Sequence, residues 1–188
     1  MKVLVACEFS GVVRRAFAAK QHETWSCDLL RSIDDSPYHI QGNVLDHLCG
    51  GWDLMIAHPP CTYLALSGRA WFKKPGRAAK QHEALEFFKK LYYAPIPKIC
   101  IENPRSLIGV RFRKHTELIQ PWMFGDPEVK ETCLWLRGLP RLKQTHIVYG
   151  RIPRCQHESS ATIGGLTQAQ RRSITYPGIA QAMAQQWG

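Results

Sequence analysis

The sequence predicts an α/β protein built on a mostly parallel sheet. Apolar segments of strand length alternate at short intervals with segments of helical periodicity. The apolar segment KVLVAC at 2–7 leads into VVRRAFAAKQ at 12–21, the strand–helix order of such folds. A second apolar segment, DLMIA at 53–57, stops shortly before two consecutive prolines. Because proline has no backbone donor and restricts the residue before it, this segment is expected to be a strand with a rigid end.

The remaining elements follow from the same patterns. Strands are predicted over 2–7, 23–29, 39–44, 53–57, 98–103 and 131–136. Helices are predicted over 12–21, over 79–92, near 113–120 and over 178–187. The helix over 79–92 is predicted because its apolar residues recur at helical spacing on one face. Segment 143–175 is rich in Gly, Ser, Thr and Arg, and it is predicted to be a loop or a mobile insertion.

Composition predicts a globular, intracellular, basic protein. The 188 residues suit a single domain, 1–188, and the formal net charge is +10. Such a charge points towards a polyanionic partner such as nucleic acid. The seven cysteines lack the dense spacing of a small secreted scaffold, so the thiols are expected to be reduced. The apolar N-terminal stretch is too short for a signal peptide or a membrane span, so a cytoplasmic location without membrane contact is expected.

The ends of the first two predicted strands carry a candidate nucleotide site. Gly11 permits a tight turn into the first helix, whose starting amides could receive a carboxylate or phosphate. Asp28 ends the second strand, where an acid can accept hydrogen bonds from a ribose. No full GxGxxG is present, so an ordinary strand–helix turn explains these residues equally well.

A thiol and a carboxyl group follow two further strands. Cys61 comes directly after Pro59-Pro60, and Glu102 lies at the end of KICIEN. Each residue alone is better explained as a buried cysteine or a surface acid. Because the carboxyl ends of parallel strands meet at one edge of the sheet, the two together predict a catalytic site.

Four residues are candidates for a metal site. Cys133, His146, Cys155 and His157 are of ligand type, but their spacing matches no familiar zinc site. We therefore predict no metal.

These motifs resemble those of the DNA cytosine-5 methyltransferases. Pro59-Pro60-Cys61 matches the family's Pro-Pro-Cys nucleophile motif, with Ser67-Gly68 downstream, and Glu102-Asn103-Pro104 resembles its Glu-Asn-Val motif. Phe9-Ser10-Gly11 partly matches Phe-x-Gly-x-Gly, with Val13 in place of the second glycine. Gly42-Asn43-Val44 is similar to Gly-Asp-Ile, with Asn for Asp.

Two later segments extend the resemblance over nearly the whole chain. The stretch 125–132 resembles Gly-x-Pro-Gln-x-Arg-x-Arg, with Lys130 and Thr132 standing for the two arginines. Gly178 matches the Gly of the family's last motif, and Ile179 replaces its Asn. The chain is most similar to short members encoded by bacteriophages and prophages.

The resemblance implies a Rossmann-like class I S-adenosylmethionine-dependent methyltransferase fold. This fold has a mostly parallel seven-stranded sheet with a late antiparallel hairpin. The implied activity is methyl transfer from S-adenosylmethionine to carbon 5 of cytosine in DNA, through a covalent adduct with Cys61. The implied catalytic residues are Cys61, Glu102, Lys130 and Pro60. The implied cofactor-binding residues are Phe9, Ser10, Gly11, Asp28, Leu29, Asn43, Val44, Pro59 and Gly178.

The target base must be flipped or already single-stranded, because its carbon 5 is unreachable inside a duplex. Segment 62–80 is free of acids and interleaves cations with aromatic residues, as nucleic-acid surfaces do. The alternative for this segment is a solvated basic loop with a buried Trp. Segment 137–154 is similarly free of acids and is predicted to be a second phosphate-contacting surface; the cations of this segment are Arg137, Arg141, Lys143, Arg151 and Arg154. The candidate nucleic-acid-binding residues are Arg69, Trp71, Lys73, Lys74, Arg77, Arg137 and Arg141.

Only about 35 residues, Leu142 to Tyr176, stand where larger family members carry a target-recognition domain. A short or degenerate sequence context is therefore expected, with a partner protein as another source of specificity and a monomer or dimer as the assembly. A methyltransferase acting on amino groups is disfavoured, because it would carry an aromatic residue in place of Cys61. Three alternatives stay open: a catalytically weak DNA-binding protein of the same fold, an enzyme acting on cytosine in RNA or a nucleotide, and a modified one-carbon donor.

Overall fold

The computed structural model describes residues 1–153 and 161–188. Its strands are β1 (Lys2–Ala6), β2 (Glu23–Asp28), β3 (His39–Gln41), β4 (Leu54–Ala57), β5 (Lys98–Asn103), β6 (Glu117–Ile119), β7 (Glu128–Val129), β8 (Thr132–Arg137) and β9 (Ile152–Pro153). Its α-helices are α1 (Val12–Ala18), α2 (Arg77–Tyr92), α3 (Ile108–Arg111), α4 (Gln168–Ser173) and α5 (Pro177–Trp187). Short 3-10 helices cover Val44–His47, Leu66–Trp71 and Pro121–Met123.

The described residues form a seven-stranded sheet in the order β3-β2-β1-β4-β5-β8-β6. Strands β1 to β5 are parallel, and β8 runs antiparallel to both β5 and β6. The predicted architecture, a mostly parallel sheet with a late antiparallel hairpin, is therefore confirmed. A ligand of such a sheet binds beyond the carboxyl ends of its parallel strands.

Two apolar clusters cover the two faces of the sheet, which explains why the central strands are continuously apolar. Along β1, Val3 and Val5 face a cluster built by α1 and α5, while Leu4 and Ala6 face the cluster built by α2. All four are fully buried. No helix of the described residues is long and apolar enough to cross a membrane.

The predicted helix near 113–120 is wrong. The short helix α3 ends at Arg111, and residues 117–119 form strand β6 instead. Ile119 is buried and β6 pairs with β8, so sheet pairing, and not local helical spacing, decides the structure of this segment.

The described parts of segment 143–175, residues 143–153 and 161–175, are more structured than predicted. Its first part runs beside residues 122–127, with Val148 N donating to Trp122 O at 2.9 Å and Ile152 N donating to Pro127 O at 2.9 Å. Its second part contains α4, which starts with a capping box between Thr167 and Gln170.

Candidate active site

The Pro-Pro turn after β4 is fixed by the end of the neighbouring strand β5. Asn103 is buried, and its Nδ2 donates a hydrogen bond to Pro59 O at 2.9 Å. The preceding residue is tied to β1, since His58 N donates to Ala6 O at 2.9 Å. Because the turn is held from both sides, the position of Cys61, the residue that follows it, is fixed.

Cys61 begins a segment that is bonded to the residues after β5. The Cys61 carbonyl accepts hydrogen bonds from Leu64 N at 3.0 Å and from Ala65 N at 2.9 Å. Leu107 N donates to Leu64 O at 2.9 Å, and Leu66 N donates to Arg105 O at 2.9 Å. These contacts use the backbone only, and the Cys61 side chain is a half-buried free thiol.

Glu102 and Lys130 lie within electrostatic range of Cys61. Glu102 lies near the carboxyl end of β5, and Lys130 enters from the turn before β8. The Lys130 ammonium donates to Arg172 O at 3.1 Å and lies 5.8 Å from the centre of the Tyr176 ring. The three residues predicted to act on the base are thus brought to one end of the sheet.

Opposing effects set the charge states of this group. Burial and then the Glu102 carboxylate raise the pKa of the Cys61 thiol, while the charges of Lys130 and Arg172 act in the opposite direction. Burial favours the protonated form of Glu102, but the hydrogen bond from His58 and the Lys130 charge outweigh burial and lower the pKa of that carboxyl. Basic neighbours are present, as thiolate chemistry requires, but they do not bring the pKa of the thiol below its ordinary value.

Two residues of this site escaped the sequence prediction. His58 contacts Glu102, with Nδ1 lying 3.5 Å from Oε2. Arg172, in α4, acts on the Cys61 thiol from the segment predicted to be a loop. The only sequence signal was the position of His58 next to the prolines; nothing in the sequence linked Arg172 to Cys61.

A cavity of about 390 Å³ lies beside this group, at the ends of β1, β2 and β3. Four of the predicted cofactor-binding residues line it: Asp28, Leu29, Asn43 and Val44. Pro60 also lines it, which connects the cavity to the turn that carries Cys61. The remaining lining residues are Cys7, Cys27, Gly42, Tyr63, Lys80, Glu83, Ala84 and Phe87.

The start of α1 departs from the prediction. Phe9, Ser10 and Gly11 do not line this cavity. The amides expected to receive a ligand are engaged within the chain, because the buried Glu8 carboxylate accepts from Val13 N at 2.7 Å and Arg14 N at 3.2 Å.

Gly11 forms the tight turn into α1 that the sequence predicts. It adopts φ +67°, and a Cβ there would lie 2.5 Å from Arg14 Nη2. Glycine therefore allows the positive φ of the turn and its close packing against the Arg14–Asp34 ion pair.

The other predicted cofactor residues have structural partners as well. Asn43 Oδ1 accepts from Leu45 N at 3.1 Å and caps a 3-10 helix. Gly178 lies outside the cavity, and a Cβ there would lie 1.8 Å from Phe124 O. Gly178 thus permits the close approach of α5 to that loop. Pro59 is buried and is held by Asn103.

The first basic segment lies directly after Cys61 and reaches the solvent. Arg69, Lys73 and Lys74 are exposed, and Trp71 is 53% exposed. Lys74 Nζ lies 3.9 Å above the Trp71 ring. Trp71 is thus not buried, in contrast to the alternative of a solvated basic loop with a buried Trp.

Arg77 is held against the segment that follows Cys61. Its Nη2 donates to Thr62 O at 2.5 Å, and its guanidinium lies 4.5 Å above the Tyr63 ring.

Arg137 and Arg141, predicted to belong to the second phosphate-contacting surface, lie away from Glu102. Arg137 pairs with Ile99, near the start of β5 and therefore at the opposite edge of the sheet from Glu102. Its guanidinium donates to Tyr92 O at 3.0 Å, to Ala94 O at 2.6 Å and to Ile96 O. These bonds close the connection between α2 and β5, so Arg137 has a structural role.

Arg141 is exposed at the same edge and acts on the Glu117 carboxyl. Further along this segment, the Arg151 guanidinium stacks on the Trp122 ring, 4.0 Å from the ring centre. Arg154 lies outside the described residues.

Cys155 and His157, two of the four candidate metal ligands, also lie outside the described residues. Within residues 1–153 and 161–188, no group of three or more His, Cys, Asp or Glu is placed to hold a metal ion.

Comparisons with solved structures identify the fold. A protein assigned as a DNA modification methyltransferase and encoded within an E. coli prophage aligns with a TM-score of 0.53 and 12% identity, over 79% of this chain and 52% of its own. An Entamoeba histolytica methyltransferase aligns with a TM-score of 0.54 and 16% identity, over 79% of this chain and 57% of its own. The chain thus has the fold of these methyltransferases and spans about half of their length. No protein-family model and no curated protein matches it.

Proposed function

We propose that this chain transfers a methyl group from S-adenosylmethionine to carbon 5 of cytosine in DNA. One observation carries the proposal: Cys61, Glu102 and Lys130 act on one another at the carboxyl end of the sheet, and Pro60 joins them to a cavity of about 390 Å³. The fold shared with methyltransferases supports the same reaction class. Fold alone does not specify the substrate, so the base and the atom are inferred from the side chains.

A thiol is the group that this reaction needs. Carbon 5 of cytosine is a poor nucleophile, and addition of the Cys61 thiolate to carbon 6 converts the ring into an enamine. The electron pair at carbon 5 then takes up the methyl group. Loss of the carbon 5 proton and expulsion of the Cys61 sulfur restore the aromatic ring and the free thiolate. The raised pKa of the thiol means that the thiolate is a minor form, which Lys130 and Arg172 help to stabilise.

Glu102 supplies recognition of the base. A carboxyl group can accept a hydrogen bond from the exocyclic amine and, when protonated, can donate one to ring nitrogen 3. This pattern selects cytosine over thymine. Lys130, whose charge acts on Glu102, can hold the ring or a phosphate. The rigid Pro-Pro turn keeps the thiol at a fixed position relative to Glu102.

The cavity suits the adenosine part of S-adenosylmethionine. The Asp28 carboxylate can accept from ribose hydroxyls, and Leu29, Val44 and Phe87 offer apolar contacts for a base. Asn43 remains the proposed contact to the adenine amine. When bound, the cofactor supplies the methyl group, and this chain's residues orient it towards the Pro60–Cys61 turn.

The exposed segment with Arg69, Trp71, Lys73 and Lys74 is the proposed DNA surface. Its cations can neutralise phosphates, and Trp71 can stack on a base or fill the gap left by a flipped one. Phosphate contacts carry affinity without sequence information, so we expect a short or degenerate target context.

A catalytically weak DNA-binding protein of the same fold is the second candidate. The observation that favours it is the engagement of the α1 amides by Glu8, which closes one expected ligand contact.

Incubation with isotope-labelled S-adenosylmethionine and single-stranded DNA, duplex DNA or RNA, followed by nucleoside mass spectrometry, tests the proposal. Labelled 5-methyldeoxycytidine is the expected product. Label on an amino group or on no nucleoside would contradict it, and the latter result would favour the second candidate.

Asp28→Ala should weaken S-adenosylmethionine binding by about 1–3 kcal/mol, because a charge-assisted hydrogen bond to ribose is removed. Isothermal calorimetry measures the change. Glu86→Ala is the matched control, since Glu86 lies on α2 outside the cavity-lining set and pairs with Lys89. Equal affinity of the Asp28 variant and the control would remove Asp28 from the site.

Replacing Arg69 and Lys73 by glutamine should reduce the salt dependence of DNA binding. Because two phosphates would no longer be neutralised, the slope of log affinity against log salt should fall by about 1.8. Arg141→Gln with Lys143→Gln removes the same charge elsewhere on the surface and should leave the slope unchanged. Fluorescence anisotropy over a salt series decides between the two surfaces, and a larger fall in the control pair would refute this assignment.

A further inference from the structure

A two-residue turn directly after β2 forms part of the cavity wall. Leu29 lines the cavity, although its apolar side chain is 72% exposed. Leu30 follows it and is exposed as well. The position of this turn therefore sets the shape of the cavity on the side proposed for adenosine.

Three side chains hold this turn through its backbone. Asp28 Oδ1 accepts a hydrogen bond from Leu30 N at 2.9 Å. His39, on the edge strand β3, donates from Nε2 to Leu30 O at 2.9 Å. Gln41, on the same strand, donates from Nε2 to Leu29 O at 3.3 Å. Both carbonyls of the turn are thus bound by side chains of β3.

The other ring nitrogen of His39 is bound as well. Nδ1 lies 2.9 Å from the hydroxyl oxygen of Ser26, which is fully buried. That oxygen accepts a hydrogen bond from Arg14 Nε at 3.1 Å. Because a carbonyl can only accept, Nε2 carries the ring proton that is donated to Leu30 O, and Nδ1 of the neutral ring accepts from the Ser26 hydroxyl. The partners on both sides therefore require the same tautomer of His39.

Arg14 anchors these hydrogen bonds in the interior of the protein. Its guanidinium is buried and also donates to Ser36 Oγ at 2.6 Å and to Asp34 Oδ1 at 2.7 Å. A planar guanidinium with partners at Nε and at both terminal nitrogens has a fixed orientation. The Ser26 hydroxyl, and through it the His39 ring, is oriented by this buried group.

We propose that His39 is a positioning residue for the adenosine part of S-adenosylmethionine. This inference rests on the proposed function, which assigns the cavity to that cofactor. His39 does not line the cavity and acts through Leu30 O, which keeps Leu29 at the cavity wall. Binding then does not have to order the turn, so its cost in conformational freedom is lower. Loss of this hydrogen bond should weaken cofactor binding and leave the chemical step unchanged.

Two amide substitutions separate the roles of the two ring nitrogens. An asparagine amide reaches the position of Nδ1, so His39→Asn can keep the contact with Ser26 but loses the donor to Leu30 O. The longer glutamine brings its amide nitrogen to the position of Nε2, so His39→Gln can keep that donor. We expect His39→Asn to raise the Kd of S-adenosylmethionine about 3- to 10-fold, the effect of one lost hydrogen bond, and His39→Gln to stay within about twofold of wild type.

Isothermal calorimetry measures these affinities, with 5′-methylthioadenosine as a second probe that has the adenosine part but no amino-acid part. His39→Asn should lose the same factor in affinity for both compounds. The midpoint of thermal unfolding and kcat at saturating cofactor should stay close to wild type, which a general loss of structure would not allow. His82→Asn, exposed on α2 and outside the cavity lining, is the matched control.

The outcomes distinguish this inference from the function on which it rests. Wild-type affinity in His39→Asn, or a loss confined to S-adenosylmethionine, would overturn the inference. Equal losses in His39→Asn and His39→Gln would also overturn it, because the donor to Leu30 O would then have no part in binding. If wild type binds both compounds but methylates no cytosine, the proposed reaction is wrong, while weaker binding by His39→Asn still supports the inference. A wild-type protein that binds neither compound would overturn both.

Discussion

Replacing Cys61 by serine should abolish methyl transfer, lowering kcat by about 10⁴-fold or more, because a serine hydroxyl is a far weaker nucleophile than a thiolate. The fold should survive, since the hydrogen bonds of Cys61 to Leu64 and Ala65 use only its backbone carbonyl. Cofactor affinity should stay close to that of wild type. Steady-state assays, thermal unfolding and calorimetry measure these three quantities.

Cys49→Ser is the matched control for this substitution. Cys49 is an exposed free cysteine and does not line the cavity. Full activity in Cys49→Ser with none in Cys61→Ser is the expected pair of results. Retention of activity in Cys61→Ser would rule out the covalent mechanism.

Glu102→Gln should lower kcat by about 10²–10⁴-fold, the usual range for removing a general acid. Binding of the base should be largely retained, because an amide can still accept from the amine and donate to nitrogen 3. The variant should also make the Cys61 thiol easier to ionise, since the Glu102 charge raises the pKa of that thiol. Alkylation of Cys61 by iodoacetamide at fixed pH should therefore be faster, although catalysis is slower.

Glu131→Gln is the control for the removal of a nearby charge. Glu131 forms an exposed ion pair with Arg105 and has no contact with Cys61. It should change neither kcat nor the alkylation rate. If Glu102→Gln alkylates more slowly than wild type, the electrostatic coupling between the two residues is wrong.

The sheet and the proximity of Cys61 to Glu102 could both be predicted from the sequence, because both depend on recognising the strands. Apolar strands buried on both faces are readable as continuous runs, and parallel strands place their carboxyl ends at one edge. The Pro-Pro turn marked the end of β4 without ambiguity. These features depend on residues that are close in sequence, so a single chain suffices to find them.

The features that the sequence did not predict depend on contacts between distant segments. Arg137 looks like a phosphate ligand in sequence, but β8 carries it to the far edge, where the carbonyls of Tyr92, Ala94 and Ile96 bind it. Glu8 has no motif, yet its carboxylate occupies the α1 amides. The strand β6 exists because β8 pairs with it. Such pairings between distant segments cannot be predicted from the periodicity of the sequence.

Covalent trapping with DNA that carries 5-fluorodeoxycytidine tests most directly whether Cys61 is the nucleophile. Fluorine at carbon 5 cannot leave as a proton does, so the adduct should persist after methyl transfer. Peptide mapping by mass spectrometry should find the methylated nucleotide on the peptide that contains Cys61. An adduct at any other cysteine, or turnover of cytosine with no adduct at all, would contradict the mechanism.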